Sequence, residues 1–340
     1  MRPRATAYSR LRAAMRRQPL LPVLVVLLIV PAGLYDGFAT TANFRNIAVQ
    51  ASPLIIAAVG ATYVIITAGI DLSVGSMLFL AAAVESSRAL SGEPAGTVFV
   101  AVGAAGLLMG LLNGAAVALT RVPALIVTLA TMQVYRGLGG HITGQQDINL
   151  PAGLRGIGTG TLLGVPAPVW LAVLAALGGG LVFSRTVFGR YVQAVGSHRD
   201  AALDAGIPVR TVTAAVFALA GLLTALAALT QTARLGTVQP SIGQGYELTV
   251  ITAVVLGGTS LFGGRGSITG TVLGALVLAT AQTGLVFSGA SPYVFDIVRG
   301  GVLLVAVIAA GVRWRNLART VRPAGRSSAP SDEGRTVATA

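Results

Sequence analysis

Five ionisable residues stand in or beside long apolar runs of this chain: Asp71, Glu85, Glu247, Asp296 and Arg299. A charge at membrane depth costs kilocalories, so each is a functional candidate by default. Asp71 and Ser73 lie between Gly69 and Gly75, in a stretch that reads as non-helical. Irregular backbone at that depth is tolerated where it is buried in protein or lines a cavity, so Asp71 either faces a cavity or N-caps the helix that follows. Asp296 and Arg299 are three residues apart and can pair along one helix. Neutral polar groups suit an uncharged cargo. Asn113, Thr128, Gln133, Gln231 and Gln282 fall in or at the ends of apolar runs. Each needs partners there, and hydrogen bonds between helices would supply them without any cargo.

Enzyme constellations do not assemble. His141 is placed in a loop on one side of the membrane and His198 in a loop on the other, so they share neither a metal nor a triad. The sequence contains no cysteine and no H-x-x-x-H, G-x-S-x-G or strand-linked G-x-G-x-x-G pattern. An intramembrane aspartyl enzyme would need Asp71 to face Asp296, and neither lies in a motif that demands it. All 24 basic residues are arginine, so a Walker-type phosphate loop, which needs lysine, is excluded. If ATP drives this protein, another chain hydrolyses it.

The longest charged interruption is GRYVQAVGSHRDAALDAGIP, residues 189–208, with Arg190, His198, Arg199, Asp200 and Asp204. Such a segment must leave the bilayer. Ser197 followed by Asp200 reads as a capping box with Asp in place of Glu, and residues 200–205 as a turn or two of amphipathic helix. Gly206 then takes the left-handed position after the helix, and Pro208 stops it. A short capped helix on a membrane surface has the form of a docking peg. A solvated linker is the alternative.

The elements that must position these residues follow from composition. With 54% hydrophobic and only 10% charged residues among 340, the chain reads as an all-α polytopic membrane protein. About ten spans are expected, some short or broken: 19–38, 52–69, 72–87, 97–119, 122–140, 166–183, 209–232, 248–261, 267–287 and 293–312. An amphipathic stretch, 43–50, leads into the second, and a polar, glycine-rich loop occupies 141–165. Residues 1–18 carry six arginines and no acid, forming a basic cytoplasmic segment. A signal peptide has the same outline, but no small-x-small cleavage site stands out. The tail, 313–340, is rich in Arg, Ser and Pro and is expected to be disordered. Ten spans put both termini, the 185–208 loop and 18 of the 24 arginines on one side, which the positive-inside rule makes cytoplasmic. Arginines beside apolar runs mark orientation in lipid rather than a nucleic-acid face. Two glycine ladders, Gly106–Gly110–Gly114 and Gly266–Gly270–Gly274, suit close helix packing, within the chain before a subunit interface.

An ordered series of motifs then resembles the ribose-type ABC sugar permeases, membrane subunits of bacterial binding-protein-dependent importers. The series runs GIDLSVGS (69–76), GLLNG (110–114), VPALIVTLATMQVYRG (122–137), GVPAPVW (164–170), FGRYVQAVG (188–196), GYEL (245–248) and VVLGGTSLFGGRGSITGTVLGA (254–275). The resemblance spans roughly residues 43–308 and implies an ABC importer permease fold in the inner membrane. It also implies a second permease subunit, identical or paralogous, a cytoplasmic ATPase that binds ATP and magnesium, and an extracytoplasmic substrate-binding protein. Arg199, Asp200, Ala201, Ala202, Leu203 and Gly206 resemble the loop that engages the ATPase, with Asp for the usual Glu. Arg199, Asp200 and Asp204 would form its polar rim and Ala201, Ala202 and Leu203 its inserted core. Candidates for the translocation path are Asp71, Ser73, Asn113, Thr128, Gln133, Glu247 and Gln282. The implied cargo is a monosaccharide or similar small neutral polyol. Nucleosides and branched-chain amino acids remain alternatives, as does an ion-coupled secondary transporter, which would need an ionisable pair at mid-membrane.

Overall fold

A computed structural model describes residues 20–120 and 122–320, and the side chains of all of these but 155, 157, 159, 306 and 309–320. The expectations for 1–18, Arg121 and 321–340 fall outside them.

Among the described residues the chain is mainly helical, with four two-residue strands. In order, the elements are α1 (Leu20–Leu34), α2 (Thr41–Ile66), α3 (Val74–Leu90), α4 (Ala95–Leu119), α5 (Ala124–Thr143), β1 (Ile148–Asn149) and α6 (Ala152–Thr159). They continue with β2 (Thr161–Leu162), β3 (Val165–Pro166), α7 (Ala167–Arg185), α8 (Val187–Ser197), α9 (Arg199–Asp204) and α10 (Val209–Leu235). The last are β4 (Thr237–Val238), α11 (Tyr246–Leu256), α12 (Ile268–Phe287) and α13 (Pro292–Thr320). Each expected span falls on a helix, and α2, α4, α7, α10 and α12 are long and apolar enough to cross a bilayer.

Burial sorts these helices. In α2 and α10 the most apolar stretch is 89% and 72% buried, against 28% in α4 and 11% in α7. The first two therefore form the shaft of the bundle, and the others turn a face to lipid or a partner. Small residues make the shaft tight, as membrane helices require. A Cβ on Gly60 of α2 would sit 2.8 Å from the Cα of Ala220 on α10. Gly106, Gly110 and Gly114 of α4 press on α10 at Gly221, Phe217 and Ala214, and Gly270 and Gly274 of α12 press on Gly257 and Ala253. Both ladders thus pack inside the chain. Gly266 is no part of the second, since it precedes α12 and abuts the Ile66 side chain.

Three expectations need correction. The amphipathic stretch 43–50 and the second span are one helix, capped by the Thr40 hydroxyl, which accepts from the Asn43 amide, and continuous through Pro53. The 141–165 segment is no plain loop. It contains the last turn of α5, with His141, then α6 and the β2–β3 hairpin, while β1 pairs antiparallel with β4 (Ile148 opposite Val238). Finally, α13 runs eight residues past the expected end of the last span at Val312, so the start of the tail is helical.

Candidate functional site

The 185–208 segment folds as two helices, α8 and α9, meeting at His198. The cap of α9 is His198 rather than Ser197: its Nδ1 accepts from the Ala201 amide at 3.2 Å. Ser197 still belongs to α8, and its hydroxyl donates back to the Gln193 carbonyl. The far end is as expected. Gly206, at φ +78°, donates to Leu203, and Ile207 donates to Ala202, the two bonds of a Schellman turn. Ala202 is 4% exposed and packs on the chain's own core, while Leu203 is 50% exposed and Asp200, Ala201 and Asp204 are exposed. Ala202 therefore anchors the peg instead of being inserted into a partner, which corrects its expected role. The root of the peg is α8. At Gly196 a Cβ would overlap the Ile66 carbonyl oxygen, which also accepts from the Gly264 amide at 2.8 Å. The peg thus rests on the last residue of α2 and on the loop before α12.

Between α2 and α3 the chain leaves helical geometry at membrane depth, and it does so inside protein. Asp71 is 4% exposed, and Ser73, Asn113 and Thr128 are fully buried. Asp71 Oδ1 accepts from both the amide and the hydroxyl of Ser73, at 2.8 and 2.6 Å. Asn113 Nδ2 on α4 donates to Ser73 Oγ at 2.8 Å, and the Tyr135 hydroxyl on α5 donates to Asn113 Oδ1 at 3.0 Å. Thr128 on α5 latches the backbone, accepting from the Leu72 amide and donating to the Ile70 carbonyl. The N-cap of α3 is Ser73, so Asp71 acts one step earlier, closing a turn over Ser73 rather than capping the helix. Four of the path candidates thus form an internal network holding broken backbone.

A second irregular segment, 239–245, meets the first. With 11 residues, α11 is about 16 Å long, short of a bilayer core, and the chain before it dips in against the start of α3 at Gly75. Gly75 and Gly243 face each other so closely that neither accepts a Cβ, and Glu247 abuts Gly75 as well. Arg136 on α5 holds the dip, donating to the Ile242 carbonyl at 2.8 Å with its guanidinium 4.9 Å from the Phe79 ring centre. Beyond it, Gln282 borders a cavity of about 410 Å³ between α2, α10, α11, α12 and α13.

Comparison with known proteins decides the class. A family model described as the permease component of branched-chain amino acid transport systems matches residues 43–307. The ribose import permease protein of Escherichia coli K12 is 41% identical over 302 residues, 87% of this chain and 94% of its own. The chain belongs to the ribose-type permease family of ABC importers. Also similar are the L-arabinose transport system permease protein of the same organism, at 36% identity over 85% of this chain and 88% of the relative, and its galactofuranose transporter permease protein, at 34% over 89% and 90%. No solved structure matches the chain.

For a permease of this family, the candidate residues divide into three places. Arg199–Leu203 and Gly206 form the peg. Asp71, Ser73, Asn113 and Thr128 brace the first irregular segment, with Glu247 at its contact with the second. Gln282 borders the cavity, and Gln133 is exposed on α5, away from both. Asp296 pairs with Arg299 at 2.9 Å beside the cavity, far from facing the enclosed Asp71. Tyr135, Arg136, Gln50 and Tyr246 were not legible as site residues. The only signal was polarity inside an apolar run, and for Arg136 a lone charge amid VYRG.

Proposed function

We propose that this permease crosses the bacterial inner membrane ten times, with both termini and the peg in the cytoplasm. There it pairs with a second permease subunit and imports a small neutral sugar. The cargo arrives from an extracytoplasmic binding protein, and a separate cytoplasmic ATPase, which holds the ATP and magnesium, supplies the work. The observation that carries the reading is α9: a doubly capped helix whose buried Ala202 is rooted in the bundle while Asp200, Leu203 and Asp204 point outward. A rigid peg with a free face is what a moving partner needs to grip. The grip drives transport only through a different fit in the two states of the partner.

The family model is named for branched-chain amino acids and the relatives for sugars. We favour sugar, because relatives at 34–41% identity over nearly the whole chain all carry sugar names. The ion-coupled alternative calls for an ionisable pair at mid-membrane, and none forms among the described residues: Asp296–Arg299 is a local pair, Asp71 is bonded to Ser73, and Glu85 is buried against the Thr232 hydroxyl with no cation paired to it. The test is Leu203→Arg, which adds charge to the outward face without touching the core. Membrane insertion should be normal, and both co-purification of the ATPase and ATP-dependent ribose uptake in proteoliposomes should be lost. Full uptake by this variant, or uptake by the permease alone along an ion gradient, would refute the proposal.

A further inference from the structure

The cavity beside Gln282 lies on the half of the bundle away from the peg. Gln231, on its wall, is 22 residues along α10 from Val209, about 33 Å at the helical rise. Its volume of about 410 Å³ is that of a small-molecule pocket. Gln50, Gln231 and Gln282 bring side-chain amides from α2, α10 and α12 to one void. Such amides normally bond across helices in a membrane, as Asn113 does here. These do so in one case only: Gln50 Oε1 accepts from Thr283, while Gln231 and Gln282 have no hydrogen-bond partner among the described residues. Tyr246, which borders the same void, keeps a buried hydroxyl with no partner. Gln231 and Gln282 are half-buried at the void, where a ligand or water can meet their amides, and the buried Tyr246 hydroxyl costs free energy while it goes unmet.

Charge narrows the ligand. Arg299 is spent on Asp296, on the Thr249 hydroxyl at 2.7 Å and on the Gly245 carbonyl. Asp296 is the one carboxylate on the wall, and Arg299 already takes it, so a cation finds no free counter-charge. Arg234 also stands on the wall without an acid partner among the described residues, so the open groups are a guanidinium and the amides, donors and acceptors side by side, which suits vicinal hydroxyls. We propose that this cavity is a binding site, within one subunit, for a neutral polyhydroxylated molecule held by the amides of Gln231 and Gln282. The inference rests on the importer reading for its cargo class and adds the place and the contacts.

The absence of native cysteine makes the test direct. In the complete transporter, Gln231→Cys and Gln282→Cys each introduce a single thiol, which a small methanethiosulfonate reagent should modify. Saturating ribose should slow modification severalfold, and leucine should not. In ATP-driven uptake, Gln231→Leu and Gln282→Leu should each raise the KM about threefold to tenfold, the worth of one hydrogen bond. Modification indifferent to ribose, together with unchanged uptake kinetics, would overturn the site and leave the importer reading standing. Protection by leucine instead of ribose would overturn the polyol assignment. If the wild-type transporter takes up no sugar, the importer reading fails, while the protection measurement, which needs no ATP, still reports on the cavity.

Discussion

Gly196→Ala should uncouple ATP hydrolysis from transport. The glycine sits where α8 crosses the end of α2, and its missing side chain lets the backbone lie against the Ile66 carbonyl. A methyl group there would overlap that oxygen and lie 2.8 Å from the Gly264 nitrogen, prising apart the 2.8 Å Gly264–Ile66 hydrogen bond. Overpacking of this kind costs about 1–3 kcal/mol, and the lost bond about 0.5–1.5 kcal/mol more. The strain falls on a contact through which the root of the peg reaches both α2 and the loop before α12. If that contact carries as little as 1.4 kcal/mol of the difference between the two transport states, its loss lowers coupling tenfold.

Destabilisation alone must be separated from uncoupling, and the glycine ladder provides the control. In Gly106→Ala the new methyl would overlap Ala225 and Gly221 on α10, a packing cost of the same order, about 1–3 kcal/mol, far from the peg. Both variants should show lowered thermal stability in detergent. In proteoliposomes containing ATPase and binding protein, only Gly196→Ala should drop at least tenfold in sugar imported per ATP hydrolysed. A Gly196→Ala ratio within twofold of wild type, or an equal loss in Gly106→Ala, would refute the reasoning.

Further outcomes follow from the two irregular segments and the hairpin. Asn113→Ala removes the donor to Ser73 and the acceptor for Tyr135, and should lower stability by about 1–3 kcal/mol in detergent denaturation, with Tyr135→Phe costing less. Arg136→Met loses the Ile242 bond and the Phe79 contact, together about 2–4 kcal/mol, and should expose residues 239–245 to proteolysis. Leu163→Asn should raise stability by about 1 kcal/mol, read as a higher Tm: Leu163 stands 87% exposed at φ +54° in a two-residue turn with Gly164 at φ +78°, where asparagine is favoured.

Much of this arrangement was legible because membrane sequences are written in long apolar runs. The spans, the break at Gly69–Gly75 and the peg with its Gly206 terminus all follow from hydropathy and from glycine or proline at stated positions. The face of α9 did not. Ala201, Ala202 and Ala205 are chemically identical, so in a six-residue helix only the packing of α8 and α10 decides that Ala202 turns inward. Nor did the cap, since Ser197 and His198 are adjacent and both able; α8 decided it by continuing through Ser197. Two-residue strands such as β1 and β4 carry no periodicity, and their pairing spans 89 residues of sequence. The dip at 239–245 was hidden for a different reason: its anchor, Arg136, lies a hundred residues away on α5.

Packing also says where motion between transport states can occur. The backbone contacts of α10 with α2 at Gly60 and with α4 at Gly106, Gly110 and Gly114 leave no room for a methyl group, so these helices cannot slide without overlap. On the proposed coupling role, a push on the peg would move them as one body, and α10 spans about 33 Å from Val209 beside the peg to Gln231 at the cavity. Relative movement is left to the loosely held elements. On α13, Tyr293, Ile297, Leu304 and Val305 are 60–77% exposed, and its grip on the bundle at the cavity is Arg299 on Thr249 and Gly245. Hydrogen bonds of that kind can open and re-form, whereas interlocked glycines cannot. The cavity thus lies on the seam between the rigid body and α13, where, on the proposed coupling role, a push at the distant peg would change its shape.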